Sequence, residues 1–177
     1  MGTKASITVA FLVLLGVACG SPSTPAAATS PTPDAATQFY VALVKGYWDQ
    51  IQAADNATAT TNEAARACLG TVSSNAPQDA NLVEPAICHT RAVAILAVHE
   101  KFMKDLKGAI APERYAEDDR VFRSSVPQAI IAIRTLVSVS TTSNKQAVLS
   151  AANAYVDTML SSVVLAIDDV DPSTPHY

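Results

Sequence analysis

The sequence predicts an all-α protein, an antiparallel bundle of four or five helices carrying one inter-helix disulfide. Three observations predict it. Alanine is abundant while the 177 residues hold only six glycines, a balance that favours helix over sheet. Apolar residues recur every three to four positions in several long stretches, and no stretch alternates with period two for long. Finally, Cys68 and Cys88 flank a predicted helix–helix junction.

Residues 1–18 read as an export signal. Met1–Ser6 carries one positive charge, Lys4, and no acid, and Ile7–Ala18 ("ITVAFLVLLGVA") is apolar apart from Thr8 and Gly16. About a dozen apolar residues fall short of the roughly 20 needed to cross a bilayer. They match the length of a signal-peptide core that ends in small residues. Cys19 follows directly, and residues 19–34 continue as "CGSPSTPAAATSPTPD". That composition offers little to bury and its prolines favour extended chain, so it forms a semi-stiff tether.

This seam resembles the lipobox of bacterial lipoproteins, in which Leu and two small residues precede Cys. Val17 and Ala18 fill the small positions and Gly20 follows. Gly16 stands where the family usually has Leu, Val or Ile, with Leu15 one step earlier. The resemblance implies that Cys19 is acylated, with palmitate-type chains, and becomes the first residue of the mature protein. Signal, cysteine and Pro/Thr/Ala tether together are similar to those of actinobacterial, mycobacterial-type, cell-envelope lipoproteins. A lipid anchor on the extracytoplasmic face of the cell membrane is thereby implied. Each buried CH₂ contributes about 0.8 kcal/mol, so two or three acyl chains hold a protein on the membrane essentially for good. The other reading is a plain secretory signal with an incidental cysteine. The resemblance spans residues 1–34 and speaks of anchoring, not of activity.

Residues 35–177 are long enough for one domain with a real core. Without Lys4 the net charge moves from −4 to −5. A mildly acidic surface argues against nucleic acid and against binding through anionic lipid headgroups.

Helix one runs through "DAATQFYVALVKGYWDQIQAAD", with Asp34 as its N-cap after Pro33. Its apolar residues form two adjacent rows, Phe39–Leu43–Tyr47–Ile51 and Tyr40–Val44–Trp48, opposed by Gln38, Lys45, Asp49 and Gln52. One row is enough to seal a helix onto a small bundle. The second is either buried between neighbours or surplus. In the latter case Tyr40, Tyr47 and Trp48 make a candidate binding face, since Tyr and Trp are enriched in interface hot spots.

Helix two opens at "TTNE", where Thr60 and Glu63 have capping-box spacing, and runs to about Leu69 before Gly70. "NAPQDA" follows as a loop. Helix three covers about Val83 to Ile110, with Pro85 in its first turn and Ile87, Ile95, Val98, Phe102 and Leu106 as its apolar face. "APERYAEDDRVFRSS" has weak periodicity and room for a short helix. Helix four spans about Val126 to Ser140, with Pro127 marking its start and Ile130, Ile133 and Val137 on one face. Helix five spans about Lys145 to Val170, with Val148, Ala152, Tyr155, Met159, Val163 and Ile167 in line.

Once Cys19 is acylated, two thiols remain, and export places them in an oxidising compartment. Cys68 and Cys88 therefore read as a disulfide stapling helices two and three, which contributes roughly 3 kcal/mol for a loop of about 20 residues. The alternatives are a metal site or a redox pair. The latter usually takes the form C-x-x-C, which is absent.

"CHTRAVAILAVHE" invites a metal reading, but Cys88 and His99 lie roughly 16 Å apart along a helix and cannot share an ion. His99 with Met103 one turn on is half of a copper site without a second half, or a half-buried histidine beside a core methionine. The acidic runs Glu117–Asp119 and Asp168–Asp171 lack EF-hand spacing and read as solvated faces. Arg134, among Ile130, Ile131, Ile133 and Leu136, reads as a snorkelling arginine or the partner of Asp157.

The sequence contains no G-x-S-x-G, no HExxH, no S-x-x-K with its partner motifs and no Gly-rich phosphate loop. It therefore predicts no catalytic residues, no metal and no cofactor. The leading expectation is a non-catalytic envelope lipoprotein that binds another protein or an envelope component. The alternative is a carrier of an apolar or lipid ligand within the bundle, its pocket lined by the Phe39–Ile51 stripe. An enzyme of unrecognised type is the third.

Overall fold

The first helix starts where the chain leaves its proline-rich stretch. In the computed structural model, which describes residues 34–56, 68 and 79–173, α1 spans Ala35–Asn56. Asp34 caps it, its Oδ1 accepting from the Thr37 amide at 2.7 Å, which satisfies one of the four N–H groups that a helix start leaves unpaired. The expected second helix and its "TTNE" cap lie outside the described residues, as do Cys19 and the tether up to Pro33.

Asp79 caps a 3₁₀ turn, Ala80–Leu82, by accepting from the Asn81 amide. Next comes α2 (Pro85–Gly108), with Pro85 in the first turn, where its missing N–H costs nothing. A second 3₁₀ turn, Glu113–Tyr115, leads into α3 (Ala116–Val139). Three acids in the first turn of α3 suit the positive end of its dipole. The last helix, α4 (Lys145–Val170), is capped by Asn144, whose side chain accepts from the Ala147 amide at 3.1 Å.

Among the described residues the architecture is all-helical: four helices packed around one core. α1 packs on α2 and on the C-terminal part of α4, and α3 packs on both α2 and α4. Successive helices run antiparallel. Tyr47 meets His99 and Asp55 meets Arg91 between α1 and α2. Arg123 reaches the Leu106 carbonyl, and Arg134 pairs with Glu100, between α2 and α3. Cys68 is disulfide-bonded to Cys88 with a Cα–Cα distance of 5.2 Å, inside the range a bridge requires. Both cysteines are fully buried, so the bridge is part of the core.

The structure changes the expected start of the third described helix. α3 begins at Ala116 and runs through Pro127 instead of starting there. Proline inside a helix removes one backbone bond and costs about 3 kcal/mol. Burial offsets that cost on both sides, because Phe122 and Val126 before the ring and Ala129, Ile133 and Leu136 after it form one continuous buried stripe.

α4 carries a π-helical turn at Met159–Val163. Its core residues Tyr155, Met159, Val163 and Ile167 are all buried and recur every four positions. In a pure α-helix of 3.6 residues per turn that spacing drifts around the axis by about 40° per step. One wide turn absorbs the drift and keeps all four on the core face. α4 is long and apolar enough to cross a membrane by length and composition alone, as core helices of bundles also are. In the bundle, that apolar character is what closes the core.

Candidate functional site

Two features of the described residues hold chemistry: a buried hydrogen-bonded chain at the centre of the bundle and an open groove beside the start of α1. The buried chain joins three helices. His99, on α2, is completely buried. Its Nδ1 lies 2.7 Å from the Tyr47 hydroxyl of α1, and its Nε2 lies 2.9 Å from the Tyr155 hydroxyl of α4. A neutral imidazole has one N–H and one bare nitrogen, so the ring donates to one tyrosine and accepts from the other. Phe102 stacks on Tyr47 at 3.9 Å between ring centroids and meets Phe122 edge-on at 5.6 Å, which seals this end of the chain.

Burial governs the acid–base state of the cluster. It lowers the His99 pKa to about 4, leaving the ring neutral at physiological pH. It raises the Tyr47 and Tyr155 hydroxyls far beyond that range. The nearby ion pair Arg91–Asp55, at 3.4 Å, is also buried. Burial raises the Asp55 pKa and the Arg91 charge works in the opposite direction. Asp118 is raised by burial first and by the Asp169 charge second. With both ring nitrogens of His99 committed to tyrosines, no lone pair faces a metal. Among the described residues no group of three or more His, Cys, Asp or Glu side chains is gathered for one.

Cys68 and Cys88 are joined, while Cys19 lies outside the described residues. The candidate binding face on helix one is corrected: Tyr40, Tyr47 and Trp48 are 0%, 2% and 2% exposed. α1 has neighbours on two sides, so both of its apolar rows face protein, apart from Phe39 at 61% exposure. Tyr40 reaches across to α3, where its hydroxyl donates to Asp119 at 3.2 Å. Two structural readings also change. Arg134 is exposed and pairs with Glu100 at 2.6 Å, not with Asp157. His99 is fully buried between two tyrosines, not half-buried beside Met103.

The groove, of ≈ 430 Å³, lies between α1, the 3₁₀ turn before α3 and the end of α4. Val41, Ala42, Tyr115 and Val170 form its apolar part, and Lys45 and Arg114 bring the charge. Sequence periodicity does not flag it, because its residues come from three separate elements and only α1 supplies more than two.

No known protein family, curated protein or solved structure matches the chain.

Proposed function

We propose that the chain is a lipid-anchored envelope protein of the actinobacterial type, held on the extracytoplasmic face of the cell membrane through Cys19. Its helical bundle binds another protein or an envelope component without catalysis. One observation carries the reading: a signal-length apolar run ends in small residues at Cys19, and a Pro/Thr/Ala tether begins directly after it. That arrangement is what acylation of a cysteine and display of a domain off the lipid surface require.

Two further observations support the binding part. The imidazole at the centre of the bundle, His99, is shut away from solvent with both nitrogens engaged, and a general base must reach its substrate. The stripe that would line an internal carrier pocket is occupied by packing, with Tyr47 flat against Phe102. This favours a surface binder over a carrier that holds ligand inside the bundle. The acidic balance, −5 without Lys4, disfavours nucleic acid as a partner.

The test is Cys19→Ala in the native host. The variant should leave the membrane fraction for the soluble or secreted fraction and lose incorporation of radioactive palmitate. A variant that still pellets with membranes and still carries label would overturn the anchor.

A further inference from the structure

We infer that the groove beside the start of α1 is a binding site for a single-chain carboxylate amphiphile, a free long-chain fatty acid. This deepens the binding reading above and is independent of the anchor. The walls supply both halves of such a ligand. Val41 and Ala42 of α1, the Tyr115 ring and Val170 at the end of α4 present a mostly apolar surface. Lys45 and Arg114 line the same groove, and among the described residues no carboxylate does. In a chain of net charge −4, two cations against apolar walls form a local exception that complements an anionic head, with their nearest acids, Asp49 beside Lys45 and Asp34 within reach of the Arg114 charge, outside the lining.

Arg114 is the stronger of the two contacts. Its guanidinium lies 4.4 Å over the Tyr115 ring, which positions the planar fork, and among the described residues it forms no ion pair. A guanidinium takes a carboxylate through two parallel N–H donors. Lys45 is paired with Asp49 at 3.3 Å, but that pair is solvent-exposed on both sides. Exposed pairs contribute at most about 1 kcal/mol and yield readily to a better partner. At ≈ 430 Å³ the groove sits near the lower end of ligand-site volumes, roughly 300–1,000 Å³. It therefore suits one acyl chain and not a two-chain lipid. Its open shape leaves part of the chain in solvent, consistent with exchangeable loading.

The test uses the full chain carrying Cys19→Ala, which removes covalent lipid and leaves the groove intact. Titration with dansyl-undecanoate below its micelle concentration should give saturable fluorescence enhancement, displaced by palmitate and much less by hexadecanol. Arg114→Gln should weaken binding about tenfold to a hundredfold, the usual effect of removing a charged hydrogen-bond donor, and Lys45→Gln less. Ala42→Glu, at an exposed position, should abolish it by placing a carboxylate in the groove without disturbing the core. Lys104→Gln, an exposed cation elsewhere on α2, should change nothing. Binding that is absent, unaffected by both Arg114→Gln and Ala42→Glu, or equal for palmitate and hexadecanol would overturn the assignment. Displacement by lysophosphatidylglycerol as strong as by palmitate would overturn the choice of a fatty acid. None of these outcomes depends on where the native protein fractionates, so failure here and failure of the anchor are separable.

Discussion

The neutral, buried His99 should make the stability of the bundle fall on acidification, by an amount that can be worked out. Its pKa drops from an ordinary 6.5 to about 4 on folding because burial penalises the imidazolium. The unfolded chain therefore takes up a proton first as pH falls below 6.5, and the folded state follows only near 4. Stability is fully present above 6.5, drains away between 6.5 and 4, and levels off below. At 1.36 kcal/mol per pKa unit the loss is about 3 kcal/mol, a large share of the 5–15 kcal/mol typical of a domain. Asp55 and Asp118 act in the opposite direction. Their raised values mean that the folded state takes up protons before the unfolded chain does, so acid favours the fold at those sites. The informative quantity is therefore the difference between wild type and His99→Gln, which keeps a donor and an acceptor but cannot titrate. Urea unfolding followed through the single tryptophan, Trp48, gives that difference at each pH. The advantage of wild type should shrink by about 3 kcal/mol between pH 7.5 and 4. A difference that stays flat across that range would refute the burial argument.

Trp48→Ala should cost roughly 3–5 kcal/mol, the usual penalty for emptying a large buried site, seen as a sharp fall in melting temperature. A nearly unchanged melt would return Trp48 to the surface. Arg91→Ala, which removes the buried charge paired with Asp55, should cost about 3–5 kcal/mol, whereas Arg134→Ala, which breaks the exposed pair with Glu100, should cost under about 1 kcal/mol. Equal losses in the two arginine variants would contradict the burial difference between them.

The face of the last helix was legible because one side of it is repeatedly apolar, whereas on α2 and α3 the expected lines were right only in part, Ile87, Val98, Ile130 and Val137 being half-buried. All six residues set in line on the last helix, from Val148 to Ile167, are buried, and Asp34 and Pro85 mark the starts they suggest. The start of α3 was not legible, because a proline reads equally as a helix opener or as an interior defect. Only the burial of Phe122 and Val126 decides between the two. The misplaced charge has a similar cause. Arg91 lies with Cys88, Ala92 and Ile95 on the buried stripe of α2, a burial that the apolar spacing of that helix does not mark. Arg134 sits one step past Ile133, about 100° around the helix, and that step takes it out to Glu100. Periodicity gives a residue's face but not what stands across from it. The groove was illegible for the same reason, since no single helix contains it.

The buried polar contacts do something that the apolar stripes alone cannot. Leu, Ile and Val pack almost as well when a helix slides or rotates by one residue, because apolar attraction is non-directional. A hydrogen bond is directional and a buried one left unmade costs about 1–3 kcal/mol. Tyr47 of α1, His99 of α2 and Tyr155 of α4 satisfy one another in only one register. Tyr40 ties α1 to Asp119 of α3 in the same way. Sliding any of the four helices by one turn would break at least one of these links, most of them where no water can replace it. The alanine-rich sequence, with its modest side chains and few tight turns, leaves the apolar packing comparatively permissive. The tyrosines and the histidine supply the discrimination it lacks. That explains why aromatic residues with polar ends occupy the middle of this core where wholly apolar residues such as Phe would have filled nearly the same space.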